Sequence, residues 1–190
     1  MITIIGWPGS ALAQDIIGML TEDNQACQLL PPDQFLNNEF EPNSKFIVSV
    51  NQNLDLRQTI IFKLDSENLN RAKFQHHSAC VDQSAAIGDG SVVFYFSAVG
   101  HTGVVEKDCI ISPYSLIGHR STVGQGSLVQ PGAMIAGSTK IGKFCVMNLR
   151  SSILDKLEIC DHTIVGAGAM VTKNITTPGH YVGSPARKVA

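Results

Sequence analysis

The chain has 190 residues, enough for one large or two small domains, and its composition is that of an ordinary globular protein. A net charge of −2 without a basic run argues against a nucleic-acid partner. No stretch approaches the ~18 apolar residues of a membrane-spanning helix. The five cysteines form no CxxC pair, a pattern typical of reduced thiols, so we expect a cytoplasmic protein.

Residues 1–75 are patterned as a small α/β domain with parallel-sheet character. Apolar runs and turn residues predict, in chain order, a strand over 1–6, a helix over 11–20, a strand around 26–30, an irregular proline-containing stretch, a strand over 46–50 and a helix over about 55–66. Strand, turn and helix in succession are the opening of a βα unit.

The turn at residues 6–11 joins the first strand to the first helix and reads GWPGSA. The N-terminus of a helix favours anions, because its N–H groups are free and its dipole is positive there. Gly6, Gly9 and Ser10 are therefore candidates for contacting a phosphate group of a substrate. The turn is no GxGxxG motif and Pro8 has no N–H, so an ordinary connecting turn is the alternative interpretation.

From residue 81 onward an aliphatic side chain recurs at every sixth position, sixteen times without a slip. These positions are Val81, Ile87, Val93, Val99, Val105, Ile111, Ile117, Val123, Val129, Ile135, Ile141, Met147, Ile153, Ile159, Val165 and Val171. Four residues after each lies a second position, small in all but Leu157 and Ile175. A period of six suits neither an amphipathic helix nor an alternating strand, and predicts a coil of short strands stacked on one another.

The order of the two segments resembles that of the sialic acid O-acetyltransferase and nucleotide-amino-sugar N-acetyltransferase family of hexapeptide-repeat proteins. The landmarks are Arg57, the entry at His76 to Ala79, Ile117-Gly118-His119, the Gly132 and Gly137 region, and the exit at Gly183 to Arg187. The resemblance implies an α/β Rossmann-like N-terminal domain (1–75) followed by a left-handed parallel β-helix (76–190). It also implies a homotrimer that uses acetyl-CoA as co-substrate and no metal.

In that coil three hexads make one turn of eighteen residues, which places His101, His119, Gly137 and Asp155 in one column up a single face. Each follows an inward aliphatic residue by two positions, so their side chains should point outward. Two protonated imidazoles one coil apart would repel, and we expect at least one of the two histidines to be neutral near pH 7.

By the resemblance, His119 is the general base that deprotonates an amine as it attacks the acetyl thioester directly, without an acyl-enzyme. The backbone N–H of Gly137, from an adjacent subunit, would stabilise the oxyanion. Arg120 stands where relatives often carry an acidic residue, and His101, Asp155 and Arg120 are candidates for supporting the base. Residues expected at the CoA site are Gly137, Leu149, Ala167, Gly168, Pro185 and Arg187.

The expected acceptor is the amine of a nucleotide-linked amino sugar, and O-acetylation of sialic acid or another sugar is the alternative. Arg120 and the N-terminal turn both differ from what is usual in that family. A non-catalytic protein that binds acyl-CoA or a sugar is therefore a further alternative. A bare scaffold would show outward threonine ranks or low complexity, which are absent from the sequence. The zinc-binding γ-type carbonic anhydrases share such a coil, but they place two histidines closer together than the eighteen positions between His101 and His119.

Overall fold

The computed structural model describes residues 1–189, which divide into two compact units, Met1–Phe74 and the chain from Gln75 onward. The first unit contains three strands and three helices. In chain order these are Ile2–Ile5 (β1), Ala11–Glu22 (α1), Cys27–Leu30 (β2), Pro32–Leu36 (α2), Lys45–Val48 (β3) and Leu54–Ser66 (α3). The strands form a parallel sheet in the order β2-β1-β3, with Ile2 opposite both Cys27 and Lys45.

The predicted strands and long helices of the first unit are confirmed, with ends shifted by one or two residues. Ser10 and Asn53 cap the two long helices, each accepting a hydrogen bond from the backbone N–H three residues later. The stretch predicted to be irregular contains α2, so that prediction was wrong. Pro32 begins this short helix, where its fixed φ is already suitable and its missing N–H costs nothing.

The second unit begins with the strand Phe74–Gln75, which straddles the boundary between the units. It is a parallel β-solenoid of strands of two or three residues on three faces. Face 1 consists of Cys80–Val81, Ala98–Val99, Leu116–Ile117, Met134–Ile135, Ser152–Ile153 and Met170–Val171. Face 2 consists of Ala86–Ile87, Val104–Val105, Thr122–Val123, Lys140–Ile141 and Glu158–Ile159. Face 3 includes Val92–Val93, Ile110–Ile111, Leu128–Val129, Val146–Met147 and Thr163–Val165.

Neighbouring strands on each face pair eighteen residues apart, as Leu116 does with Ala98 and with Met134. The aliphatic residue of each hexad points inward, and from Val93 to Val171 all of them are buried in one core. The small residues four positions later lie at the bends of the coil. Burial raises the pKa of one of them, Cys145, to about 12, so its thiol is neutral. The hexapeptide prediction is thereby confirmed.

The coil ends in the strands Gly179–Val182 and Arg187–Val189. The first of these pairs in parallel with Thr163–Val165, and the second pairs with the first in antiparallel fashion. Within residues 1–189 no helix has the length and apolar character needed to cross a bilayer.

Candidate functional site

The predicted column of His101, His119, Gly137 and Asp155 lies at the bend between faces 1 and 2, which we call the histidine corner. Backbone hydrogen bonds connect its successive levels. Arg120 N–H donates to the His101 carbonyl (2.9 Å), Ser138 N–H to the His119 carbonyl (2.7 Å), and Lys156 N–H to the Gly137 carbonyl (3.0 Å). The column predicted from the spacing of eighteen residues is therefore confirmed, and both histidine side chains are exposed as expected.

The imidazole of His119 lies against Gly137 on the next coil. A Cβ atom placed on Gly137 would overlap the His119 ring, 2.5 Å from Nε2 and 2.9 Å from Nδ1. Contacts this short are not tolerated, so the absence of a side chain at Gly137 makes the space that the ring occupies. His119 and Gly137 of the same chain are thus in direct contact, while the expectation that the oxyanion donor is the Gly137 of an adjacent subunit stays a prediction.

Neither group is engaged elsewhere in the part of the chain that the structure describes. The His119 ring nitrogens make no hydrogen bond to residues 1–189, and the backbone N–H of Gly137 donates to no acceptor among them. An imidazole and an N–H donor are therefore both available at one exposed bend.

The other two supporting candidates are engaged away from the imidazole. The Arg120 side chain donates from Nε to Ser138 Oγ (3.2 Å) on the next coil. Asp155 lies two coils from His119, roughly 10 Å at the usual strand spacing, and its carboxylate is 3.8 Å from Lys156 Nζ.

His101 has polar partners on the preceding coil. Its Nδ1 lies 2.9 Å from Ser84 Oγ and 3.5 Å from Asp82 Oδ1. Hydrogen bonds from the Ser84 hydroxyl and backbone N–H, with a smaller contribution from His101, hold the pKa of the Asp82 carboxyl below its ordinary value. His101 thus contacts the coil before it, whereas His119 lies against the coil after it.

The sequence analysis missed Asp82 and Ser84, although the repeat could have found them. Ser84 is eighteen residues before Thr102, whose N–H donates to the serine hydroxyl at 2.9 Å. Extending the column of eighteen one turn below His101 gives Gln83, and Asp82 and Ser84 are its two neighbours in the chain.

The residues expected at the CoA site gather at a different bend, between faces 3 and 1, which we call the cofactor corner. Gly168 N–H donates to the Leu149 carbonyl (2.8 Å), and Ala167 precedes Gly168 at that bend. The terminal hairpin joins them, because Ala186 N–H donates to the Met170 carbonyl (2.7 Å) and so brings Pro185 and Arg187 close. Gly137 alone among the expected CoA residues lies at the histidine corner.

Face 1 separates the two corners by six residues of chain, up to ~20 Å when extended. Its outward surface carries large apolar side chains that water reaches: Leu116 is 37% exposed, Met134 51% and Met170 40%. Leu154, beside the histidine corner, and Leu149, at the cofactor corner, extend this surface with exposures of 42% and 53%. An apolar surface of this kind on a folded chain is typical of a protein contact.

The first unit has a cavity of about 420 Å³. It is lined by Trp7, Pro8, Gly9, Ser10, Ala11, Ser49, Val50, Asn51 and Gln52. These segments follow β1 and β3, so the cavity lies at the carboxyl edge of the parallel sheet and beside the N-terminus of α1, where α/β sheets commonly bind ligands. Gly9 and Ser10 line the cavity, whereas Gly6 is buried and leaves space for the Ser49 hydroxyl, which donates to the Ile5 carbonyl at 2.9 Å.

Arg57 supports this cavity from inside the first unit. Its side chain is fully buried, and Nη1 donates to the carbonyls of Val48 (2.8 Å) and Val50 (3.1 Å). These bonds fix the segment after β3 that forms one wall. Within residues 1–189 no three His, Cys, Asp or Glu side chains form a group that could hold a metal ion.

Solved structures similar to this chain include acetyltransferases. A histidine variant of perosamine N-acetyltransferase from Caulobacter crescentus, in complex with CoA and GDP-perosamine, superposes with a TM-score of 0.88 at 20% identity, covering 100% of this chain and 96% of the other. The acetyltransferase domain of PglB from Neisseria gonorrhoeae gives a TM-score of 0.90 at 20% identity, covering 99% and 98%. WeeI from Acinetobacter baumannii gives 0.79 at 17%, covering 100% and 99%. Likeness at this identity shows a shared fold.

Similarity detected from sequence alone covers a much shorter segment of the chain. UDP-3-O-acylglucosamine N-acyltransferase of Janthinobacterium sp. (strain Marseille) is 40% identical over 43 residues, which is 23% of this chain and 12% of that enzyme. No protein-family model matches the chain.

Proposed function

We propose that this protein transfers the acetyl group of acetyl-CoA to the amine of a nucleotide-linked amino sugar. The observation that carries the proposal is that the exposed His119 imidazole, which has no hydrogen bond in the described residues, lies against Gly137, whose backbone N–H also has no acceptor there. Direct acyl transfer needs both a proton acceptor for the attacking amine and a donor for the oxyanion.

The similar structures favour this reaction over others that a β-solenoid could support. One of them holds CoA and GDP-perosamine, and another holds acetyl coenzyme A. The short sequence match is also to an N-acyltransferase, one named for UDP-3-O-acylglucosamine. By this likeness we propose that the coil is left-handed and the first unit Rossmann-like.

His119 serves as the general base and the Gly137 N–H as the oxyanion donor. As nitrogen attacks the thioester carbonyl, the imidazole takes the proton from nitrogen and then delivers it to the departing sulfur of CoA. Arg120, hydrogen-bonded to Ser138, can contribute positive charge near the oxyanion, and Asp155 supplies an acidic group farther up the same corner.

Acetyl-CoA would be held by the cofactor corner, with Leu149, Ala167 and Gly168 along the pantetheine arm and Pro185 and Arg187 toward the nucleotide end. Because face 1 separates this corner from His119 in one chain, we propose a cytoplasmic homotrimer in which the histidine corner of one copy faces the cofactor corner of the next. The exposed apolar side chains of face 1 support this arrangement, since trimerisation would cover them.

The nucleotide of the acceptor would occupy the cavity of the first unit. Gly9 and Ser10 lie at the N-terminus of α1, where phosphate oxygens are favoured. Trp7, which is 42% exposed, offers an aromatic face for the base. Gly6 contributes indirectly, by allowing Ser49 to fix the end of β1.

The test is CoA release from acetyl-CoA in the presence of GDP-, UDP- and dTDP-linked 4-amino sugars, with free sialic acid as the hydroxyl acceptor. Wild type should turn over one nucleotide-linked amine, and His119→Ala should slow that turnover by ~10² to 10⁴. The matched control is His162→Ala, because His162 is also an exposed coil histidine but lies at the third bend, stacked on Phe144 at 5.6 Å.

Turnover of an amine that survives in His119→Ala would assign the base elsewhere. Turnover of sialic acid alone would make the protein an O-acetyltransferase. Binding of acetyl-CoA without turnover of any acceptor would favour a binding protein.

A further inference from the structure

His101, one coil below His119, has two polar neighbours at its Nδ1 atom, the Ser84 hydroxyl and the Asp82 carboxylate. The Ser84 hydroxyl lies 2.5 Å from Asp82 Oδ1, a length typical of an O–H donating to a carboxylate. The Ser84 backbone N–H donates to the same oxygen at 2.9 Å. The single hydroxyl hydrogen of Ser84 is therefore committed to Asp82.

That commitment decides which nitrogen of His101 carries the hydrogen. With its hydrogen on Asp82, the Ser84 oxygen can only accept from its other neighbours, and it accepts from Thr102 N–H at 2.9 Å. His101 Nδ1, at 2.9 Å from the same oxygen, must then be a donor. The neutral ring consequently carries its hydrogen on Nδ1 and keeps a lone pair on Nε2.

A second serine and histidine pair in the coil has the opposite arrangement. His76 Nδ1 accepts from the Ser78 backbone N–H at 3.2 Å and lies 2.8 Å from the Ser78 hydroxyl. The hydrogen of neutral His76 is therefore on Nε2. Both serines also accept an N–H from the residue eighteen positions later, Phe96 for Ser78 at 3.3 Å. What distinguishes His101 is the carboxylate of Asp82.

We propose that Asp82 and Ser84 are positioning residues that hold His101 with Nε2 free, and that His101 is a second proton acceptor for the acceptor amine. This inference rests on the proposed function. An acidic residue is missing beside His119, where Arg120 stands, whereas Asp82 lies one coil below His101 and two coils below His119.

The chemistry of an amine acceptor requires two proton transfers. An amine with a pKa of ~8 arrives mostly as an ammonium near neutral pH and must lose one proton before it can attack. In our proposal that proton goes to Nε2 of His101, where the Asp82 carboxylate stabilises the imidazolium, and later to solvent. Nitrogen then attacks, the C–N bond forms and the C–S bond breaks. His119 takes the second proton from nitrogen and passes it to the CoA thiolate.

The position of the hydrogen is measured first, because it does not depend on turnover. Long-range ¹H–¹⁵N spectra of the histidine-labelled protein above neutral pH should show His101 protonated on Nδ1 and His76 on Nε2. In Ser84→Ala the hydrogen of His101 should move toward Nε2, the ordinary preference of free imidazole. Wild-type His101 protonated on Nε2 would overturn the inference.

The kinetic arm uses the amine identified by CoA release. Ser84→Ala and Asp82→Asn should lower kcat by ~10- to 100-fold, less than loss of the base itself, with KM unchanged within about twofold. Ser78→Ala is the matched control and should leave kcat unchanged. Normal kcat in both variants, with His119→Ala still slowed by ~10² to 10⁴, would overturn the inference and leave the proposed function standing.

A different result would distinguish failure of the proposed function from failure of the inference about His101. If wild type acetylates no amine, the proposed function fails and with it the role of His101 as a proton acceptor, while the spectra still decide where His101 carries its hydrogen.

Discussion

The two units of this protein locate their functional groups by different rules. In the coil, register repeats every eighteen residues, so a side chain at one bend predicts which residue lies above it, as His101 does for His119 and Gly137. In the α/β unit each residue has its own environment, and the cavity is made by two loops unrelated in sequence. We therefore expect a substitution in the first unit to affect only the contacts of that residue. A substitution at a bend of the coil should also affect the residue eighteen positions away.

The largest effect we expect on stability is in the α/β unit. Arg57→Met removes a buried guanidinium and leaves the carbonyls of Val48 and Val50 without these donors, so unfolding should become easier by about 2 to 5 kcal/mol. Denaturant titration monitored by Trp7, the one tryptophan of the chain, reports on this unit. The exposed Arg150 of the coil is the control, and Arg150→Met should change stability, followed by circular dichroism, by under ~0.5 kcal/mol. Equal effects of the two variants would contradict the comparison.

The next largest effect is on catalysis in the coil. Gly137→Ala keeps the backbone N–H but places a methyl group in the space of the His119 ring. Displacing a catalytic group by about 1 Å can cost ~10²-fold, so we expect kcat to fall by about that factor. Circular dichroism should show a folded coil.

The comparator for this substitution is one coil below. An added Cβ at Gly118 would lie 2.6 Å from the backbone nitrogen of Gly137, which cannot move as a side chain can. Gly118→Ala should therefore lower thermal stability, whereas Gly137→Ala should chiefly lower activity. An active Gly137→Ala enzyme would show that the ring lies elsewhere.

A smaller effect is expected at the cavity of the α/β unit. Stacking of a base on an aromatic side chain contributes ~1 to 3 kcal/mol. Trp7→Ala should raise KM for the nucleotide-linked acceptor by roughly 5- to 150-fold with little change in KM for acetyl-CoA. Initial-rate kinetics with each substrate varied in turn would measure this. A rise confined to acetyl-CoA would place the nucleotide of CoA, rather than that of the acceptor, in the first unit.

The smallest effect is expected on stability, from a glycine-to-alanine substitution in helix α1. A Cβ at Gly18 in α1 would meet nothing within 4 Å, and alanine is the better helix former by ~1 kcal/mol. Gly18→Ala should therefore stabilise the first unit by about 0.4 to 1 kcal/mol, seen as a higher denaturation midpoint with Trp7 as probe. Loss of stability would indicate a contact on this side of α1 that only glycine permits.

Much of the coil follows from the sequence, since six-residue spacing fixes which side chains point inward and which share a column. The contact between His119 and Gly137 follows less directly, because the rotamer of an exposed imidazole is not determined by periodicity. In the first unit α2 was missed, since Pro31 and Pro32 suggest irregular chain. The buried aromatic contact of Phe35 with Phe46, at 5.3 Å, helps to stabilise that short helix, and such tertiary packing leaves no local pattern.

The backbone hydrogen bonds at the histidine corner also determine the distance between residues on successive coils. Each coil adds one level, and levels are separated by a fixed step of ~4.8 Å. Functional groups in this half of the molecule can therefore be moved apart only in whole steps, by inserting or deleting eighteen residues. An insertion of six or twelve residues into the coil would shift the following residues to another face, so groups in one column stay separated by whole multiples of this step.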